Sequence, residues 1–121
     1  MATAQRIDDF VARVERSDFL EAIAEFYSEE ATMQENGEPP RVGREALLAN
    51  ERRVIAAFEK VNARCVRPVF VSGDQVVIRW LFEFSTGDGR AIRLEELALQ
   101  RWQGDRIAEE RFFYDPVQLR P

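Results

Sequence analysis

The chain has 121 residues, 45% hydrophobic and 32% charged, with a formal net charge of −5. That length suits one domain, large enough to bury about two-thirds of its unfolded surface without a covalent staple. Its single cysteine, Cys65, excludes an internal disulfide and suits a reducing compartment, and the absence of histidine removes the commonest general base and metal ligand. Basic residues are interspersed with acidic ones, with no contiguous basic face for phosphates, so a nucleic-acid partner is not expected. Met1 to Phe10 has no apolar stretch of signal-peptide length and no segment approaches a membrane span, which predicts a cytoplasmic protein without a membrane partner. With neither metal nor cofactor expected, acid–base chemistry falls to Asp, Glu, Tyr or Lys.

The first sixty residues read as helical. Ile7, Phe10, Val11 and Val14 recur at i, i+3, i+4, i+7 and form one apolar stripe. Ser17 and Asp18 end that helix, and Asp18 followed by Glu21 predicts a capping box for a second, carrying Phe19, Leu20, Ile23, Phe26 and Tyr27. The two prolines in Asn36 to Gly43 exclude helix there. A third helix from about Arg44 is expected to bury Leu47, Val54, Ile55 and Phe58.

The second half changes period. Val66 to Val71, Val76 to Ser85, Ile92 to Trp102 and Ile107 to Tyr114 are rich in β-branched and aromatic residues, separated by Gly-Asp turn signals, which predicts a meander of hairpins. A two-residue Asp88-Gly89 loop places Gly87 opposite Arg90, hence Glu83 opposite Leu94, Leu81 opposite Glu96 and Arg79 opposite Ala98. This register puts Ile78, Trp80, Phe82 and Phe84, with Leu97 and Leu99, on the other surface. An apolar second surface predicts a homodimer through the face bearing Trp80 and Phe82. In the last hairpin a two-residue Gly104-Asp105 loop turns Phe113 inward, and a three-residue loop turns Phe112 inward.

Phe26-Tyr27-Ser28-Glu29-Glu30-Ala31-Thr32, Pro39-Pro40-Arg41-Val42-Gly43-Arg44-Glu45-Ala46, Gly104-Asp105-Arg106-Ile107 and Phe113-Tyr114-Asp115 resemble the corresponding segments of the SnoaL-like group within the nuclear transport factor 2-like superfamily. The resemblance covers nearly the whole chain. It implies an α+β cone, three N-terminal helices packed on a curved antiparallel sheet around an internal pocket, as one domain over 1–121. The superfamily hosts isomerases, cyclases, hydrolases, dehydratases and non-enzymes.

Set against limonene epoxide hydrolase, Arg79 matches that family's arginine, but Leu81 and Phe112 stand where its two aspartates fall, Met33 at its tyrosine and Glu35 at its asparagine. Set against ketosteroid isomerase, Glu35 matches the proton-shuttling carboxylate, whereas Phe10 and Ala98 occupy the oxyanion-donor positions and cannot donate. Neither reaction is supported as it stands.

The resemblance and the predicted register together turn Arg79, Glu83, Glu96 and Ala98 toward the helices, and the resemblance adds Glu35 to the same cavity. One reading is then acid–base isomerase, lyase or cyclase chemistry, with Glu35 as base, Arg79 clamping an oxyanion and Glu96 as partner acid. Phe10, Met33, Val54, Phe58, Leu81, Glu83, Ala98, Phe112 and Tyr114 would bind a small, mostly apolar molecule. The contrasting reading is a non-catalytic binding or dimerisation module, in which Arg79 pairs with Glu96 or Glu83, Glu83 meets Arg64, and the apolar residues are plain core.

Overall fold

A computed structural model describes residues 2–120. Helix α1 (Ala4–Glu15) buries the predicted stripe of Ile7, Phe10, Val11 and Val14, and the Thr3 side chain caps it by accepting from the Arg6 N–H. Helix α2 (Phe19–Phe26) buries Phe19, Ala22, Ile23 and Phe26. The anticipated capping box is absent, since the Asp18 side chain makes no cap bond. Tyr27 turns extended (φ −100°, ψ 142°), ending the helix and opening β1 (Tyr27–Glu35).

A loop and the two-residue strand β2 (Arg41–Val42) lead into α3 (Arg44–Ala57), which buries Leu47 and Leu48. Val54 is only half-buried. Phe58 lies beyond the helix in extended backbone, its ring 4.9 Å from that of Phe84.

The remaining strands, β3 (Lys60–Ser72), β4 (Gln75–Ser85), β5 (Ala91–Gln103) and β6 (Arg106–Phe113), follow as hairpins. The sheet runs β2-β1-β6-β5-β4-β3, antiparallel except that β1 lies parallel to β6. It is therefore mixed where an antiparallel sheet was anticipated, because the chain returns from the helices through β1 at the β6 edge. The helices cover one face; Phe10 joins them to the sheet through edge-on contacts to Phe26 (5.5 Å), Tyr27 (6.0 Å) and Trp102 (6.1 Å). Each such pair contributes about 0.5–1.5 kcal/mol beyond its burial. No helix among the described residues is long and apolar enough to cross a membrane.

The β4–β5 loop differs from the anticipated two-residue turn, with large consequences. Thr86 N–H donates to the Arg90 carbonyl (2.9 Å) and Gly89 N–H to the Thr86 carbonyl (3.2 Å), enclosing the three residues Gly87, Asp88 and Gly89. Gly89 has φ 87°, the left-handed residue that closes such a loop. The Asp88 carboxylate accepts from the Arg90 backbone and side chain, holding the bend. One extra loop residue slips the register by one, and a one-residue slip sends each side chain of a strand to the opposite face. Trp80 therefore pairs with Glu96, Ile78 with Ala98 and Phe82 with Leu94, all facing the helices; Arg79 pairs with Leu97, Leu81 with Glu95 and Glu83 with Arg93 on the outer face.

In the last hairpin the loop is the two-residue Gly104-Asp105, yet Phe112 turns inward. An irregularity between Arg101 and Trp102 in the β5–β6 ladder admits an extra residue on β6 and restores the pairing of Ala98 with Phe112.

Candidate functional site

The inner sheet face is built in rungs. Glu35 lies beside Phe112, then Ala98, then Ile78; Met33 lies beside Glu110, then Gln100, then Val76; Glu96 lies beside Trp80, then Cys65. Between this face and the helices is a cavity of about 90 Å³. Its apolar walls are Phe10, Val14, Phe19, Ala22, Ile23, Met33, Trp80, Phe82 and Phe112, and its polar ones Tyr27, Glu51 and Glu110.

Glu110 sits in a relay of buried hydrogen bonds. The Tyr27 hydroxyl donates to one oxygen, Gln100 Nε2 donates to the other (2.6 Å), and Trp102 Nε1 donates to Gln100 Oε1 (2.9 Å). Burial pushes the Glu110 carboxyl up to about 7, against the lowering effect of those two donors. Burial likewise raises the Tyr27 hydroxyl, and Glu110 raises it further.

Glu96 is 7% exposed and has no side-chain hydrogen-bond partner among the described residues. Desolvation, then the charges of Glu110, Glu35 and Glu51, push its carboxyl up to about 8. Glu51, one turn beyond Leu47 on α3, is raised by desolvation and by Glu35.

Glu35 lies at the rim. Arg41 Nη1 donates to one carboxylate oxygen (2.8 Å) and the Tyr114 hydroxyl to the other (3.0 Å). Burial and Glu35 push the Tyr114 hydroxyl up to about 12.

Of the residues anticipated for a site, Phe10, Met33 and Phe112 line the cavity; Ala98 is fully buried beside Phe112, Glu96 lies beside Trp80, and Glu35, beside Phe112, holds Tyr114. Arg79, Leu81 and Glu83 do not belong to it, because the three-residue loop puts them outside. Arg79 there donates to Glu95 (2.6 Å), and Glu83 accepts from Arg93 (3.1 Å) rather than meeting Arg64 or Arg79. Val54 and Phe58 also fall away from the cavity, the one half-buried on α3 and the other beyond its end. Trp80, 2% exposed and inward, cannot form an outer interface, and Phe82 packs inward beside it; Leu97 and Leu99, placed with them in the anticipated register, are instead exposed.

Three polar residues at this site were not anticipated: Glu51, Gln100 and Glu110. Two carried a signal. Gln100 continues the Glu96, Ala98 alternation of a single strand face, and Glu51 interrupts an apolar helix stripe at the i+4 position from Leu47.

Residues 7–110 match the SnoaL-like domain, and the chain belongs to that family. No curated protein matches it. Among solved structures, one from Jannaschia sp., described as a SnoaL-like polyketide cyclase, superposes with a TM-score of 0.80 at 15% identity, covering 95% of this chain and 89% of that one. One from Mesorhizobium loti, described as a SnoaL-like polyketide cyclase and also as a carbohydrate phosphatase, gives 0.78 at 22% identity, covering 94% and 100%. A protein of ketosteroid isomerase-like fold from Catenulispora acidiphila, in complex with trimethylamine, gives 0.77 at 17% identity, covering 93% and 87%. At these identities the likeness establishes the fold, a SnoaL-like α+β cone.

The raised carboxyls make stability depend on pH. Glu96 and Glu110 bind protons more tightly folded than unfolded, so their stabilising effect is complete below the ordinary carboxyl value near 4.5 and is lost as pH rises through about 7 and 8. Unfolding free energy is expected to fall between pH 5 and 9, by up to about 1.4 kcal/mol per pH unit for each such group. In Glu96→Gln the fall should be shallower; denaturant melts at pH 5, 7 and 9 measure it, and equal slopes in the two proteins would refute it.

Proposed function

We propose that the protein binds a small, mostly apolar molecule in the cone cavity and moves a proton on it, in the manner of an isomerase, lyase or cyclase. The observation that carries this reading is Glu110, a buried carboxylate lining a largely aromatic cavity and held by two neutral donors without a cation. A carboxyl near 7 is well matched to a general base at neutral pH, and a neighbouring carboxyl near 8 remains protonated there as an acid. Glu110 is assigned the base and Glu96 the acid. Glu35, paired with Arg41 and bonded to Tyr114, is assigned a positioning role at the rim in place of the base role anticipated for it.

The SnoaL-like family membership supports a ligand-binding or cyclase-type role. At about 90 Å³ the cavity is smaller than the roughly 150 Å³ that holds benzene, so a ligand of that size enters by displacing the half-buried Met33 and Phe82.

The test is exchange of the α-protons of cyclohexanone for solvent deuterium. Catalysed exchange should rise with pH as Glu110 ionises and fall as Glu96 loses its proton, giving an optimum between about 7 and 8. Glu96→Gln, which keeps a donor in place, should lose the alkaline fall. If cyclohexanone shifts the Trp80 indole resonance but exchanges no faster than in buffer, binding stands and proton transfer does not.

A second copy of the chain is assigned to the outer sheet face. Leu97 (46% exposed), Leu99 (37%) and Phe113 (40%) are contiguous there, with Phe70 on the same face. That patch supports homodimer formation, in place of the Trp80 and Phe82 face. Sedimentation velocity at micromolar concentration should give a dimer that Leu97→Glu converts to a monomer; a monomeric wild type would contradict the assignment.

A further inference from the structure

The cavity has an imbalance of charge that an apolar ligand alone does not answer. Glu51 from α3 and Glu110 from β6 line it, and Glu96 from β5 lies beside its Trp80 wall. Every charged or titratable group facing them can be named. From β1 come Tyr27 and Glu35, from β2 Arg41, from β3 Cys65, and after β6 Tyr114; β4 contributes the apolar Ile78, Trp80 and Phe82, and α1 and α2 contribute Phe10, Val14, Phe19 and Ile23. Arg41 is spent on Glu35, and Arg44 and Arg106 direct their guanidinium groups at the Tyr27 carbonyl. Glu51, Glu96 and Glu110 thus have no salt-bridge partner among the described residues.

Glu96 makes the second, independent point. It is 7% exposed on the inner face beside Trp80, and its side chain has no hydrogen-bond partner among the described residues. A carboxylate buried on that face without a donor or a cationic partner is stabilised by a cation.

We infer that the cavity takes a compact organic cation, an alkylated ammonium group of a few carbons, whose alkyl surface packs on Trp80 and Phe112 while Glu51, Glu96 and Glu110 supply the countercharge. Aromatic faces attract such cations, most strongly where water is excluded, and indole is the best of them. Among the described residues no three acidic, histidine or cysteine side chains converge closely enough for a metal ion. Carboxylates spaced around an aromatic cavity fit a larger, softly hydrated cation instead. The inference rests on the cavity being a ligand site and adds the charge of the ligand.

Cation and protons compete for the same carboxylates. Affinity for the cation therefore rises with pH over the range in which Glu96 and Glu110 ionise.

Tetramethylammonium, whose charge does not titrate, and tert-butanol, a neutral molecule of similar shape, are the probes. The chain has two tryptophans, so the indole resonances of Trp80 at the cavity and Trp102 behind it are readily followed at constant ionic strength. Tetramethylammonium should shift Trp80 and bind at least tenfold more tightly at pH 9 than at pH 6, whereas tert-butanol should show no pH dependence. Glu96→Gln should weaken the cation at pH 9 at least fivefold and leave tert-butanol unchanged. Equal affinities for the two probes at pH 9 would overturn the cation and leave the ligand site standing. Failure of both to move Trp80 would overturn the two together.

Discussion

The hydrogen bonds that close the Gly87–Gly89 loop set the phase of β4 against β5, and from that phase the rest of the molecule follows. With Ser85 opposite Ala91, the aromatic side of β4 faces the helices and its charged side faces outward. Trp80 and Phe82 then become cavity walls, Arg79 and Glu83 become surface ion-pair partners, and the cavity is left with carboxylates and no cation. The alternative phase would bury Arg79 and Glu83 and strip the cavity of its aromatic wall. The difference between those two proteins is one residue in a loop.

Given that phase, the chemistry of the interior is governed by desolvation. A carboxylate removed from water must be hydrogen-bonded, paired or protonated. Glu35 is paired with Arg41, Glu110 is bonded to Tyr27 and Gln100, and Glu96 has neither resource, so protonation is its remaining course near neutral pH. The different surroundings of Glu110 and Glu96 give their carboxyls different acidities. That spread is what acid–base chemistry requires and what a cation would exploit.

Much of the fold was legible in residue order alone. The α1 stripe, the strand-rich second half and the segments resembling the SnoaL-like group point to the architecture observed. Within the site, the resemblance put β5 in the right phase, since Glu96 and Ala98 do face inward, whereas Arg79, Leu81 and Glu83 on β4 do not. What was not legible was the relation between strands, because Thr-Gly-Asp-Gly-Arg accommodates a two- or a three-residue loop and only the hydrogen bonds decide. The irregularity in β6 is hidden for the same reason; it admits a two-residue loop and an inward Phe112 together. Tyr27 was assigned to a helix face, yet it opens β1 and donates to Glu110 across more than eighty residues of chain, a contact no local pattern encodes.

Burial brings the Glu96 and Glu110 carboxyls of the cone interior near neutrality. The most direct measurement is a titration of the side-chain carboxyl carbons in glutamate-labelled protein by nuclear magnetic resonance. The account predicts two resonances with midpoints near 7 and 8, the upper one missing in Glu96→Gln. Midpoints below about 5 for every glutamate would contradict it.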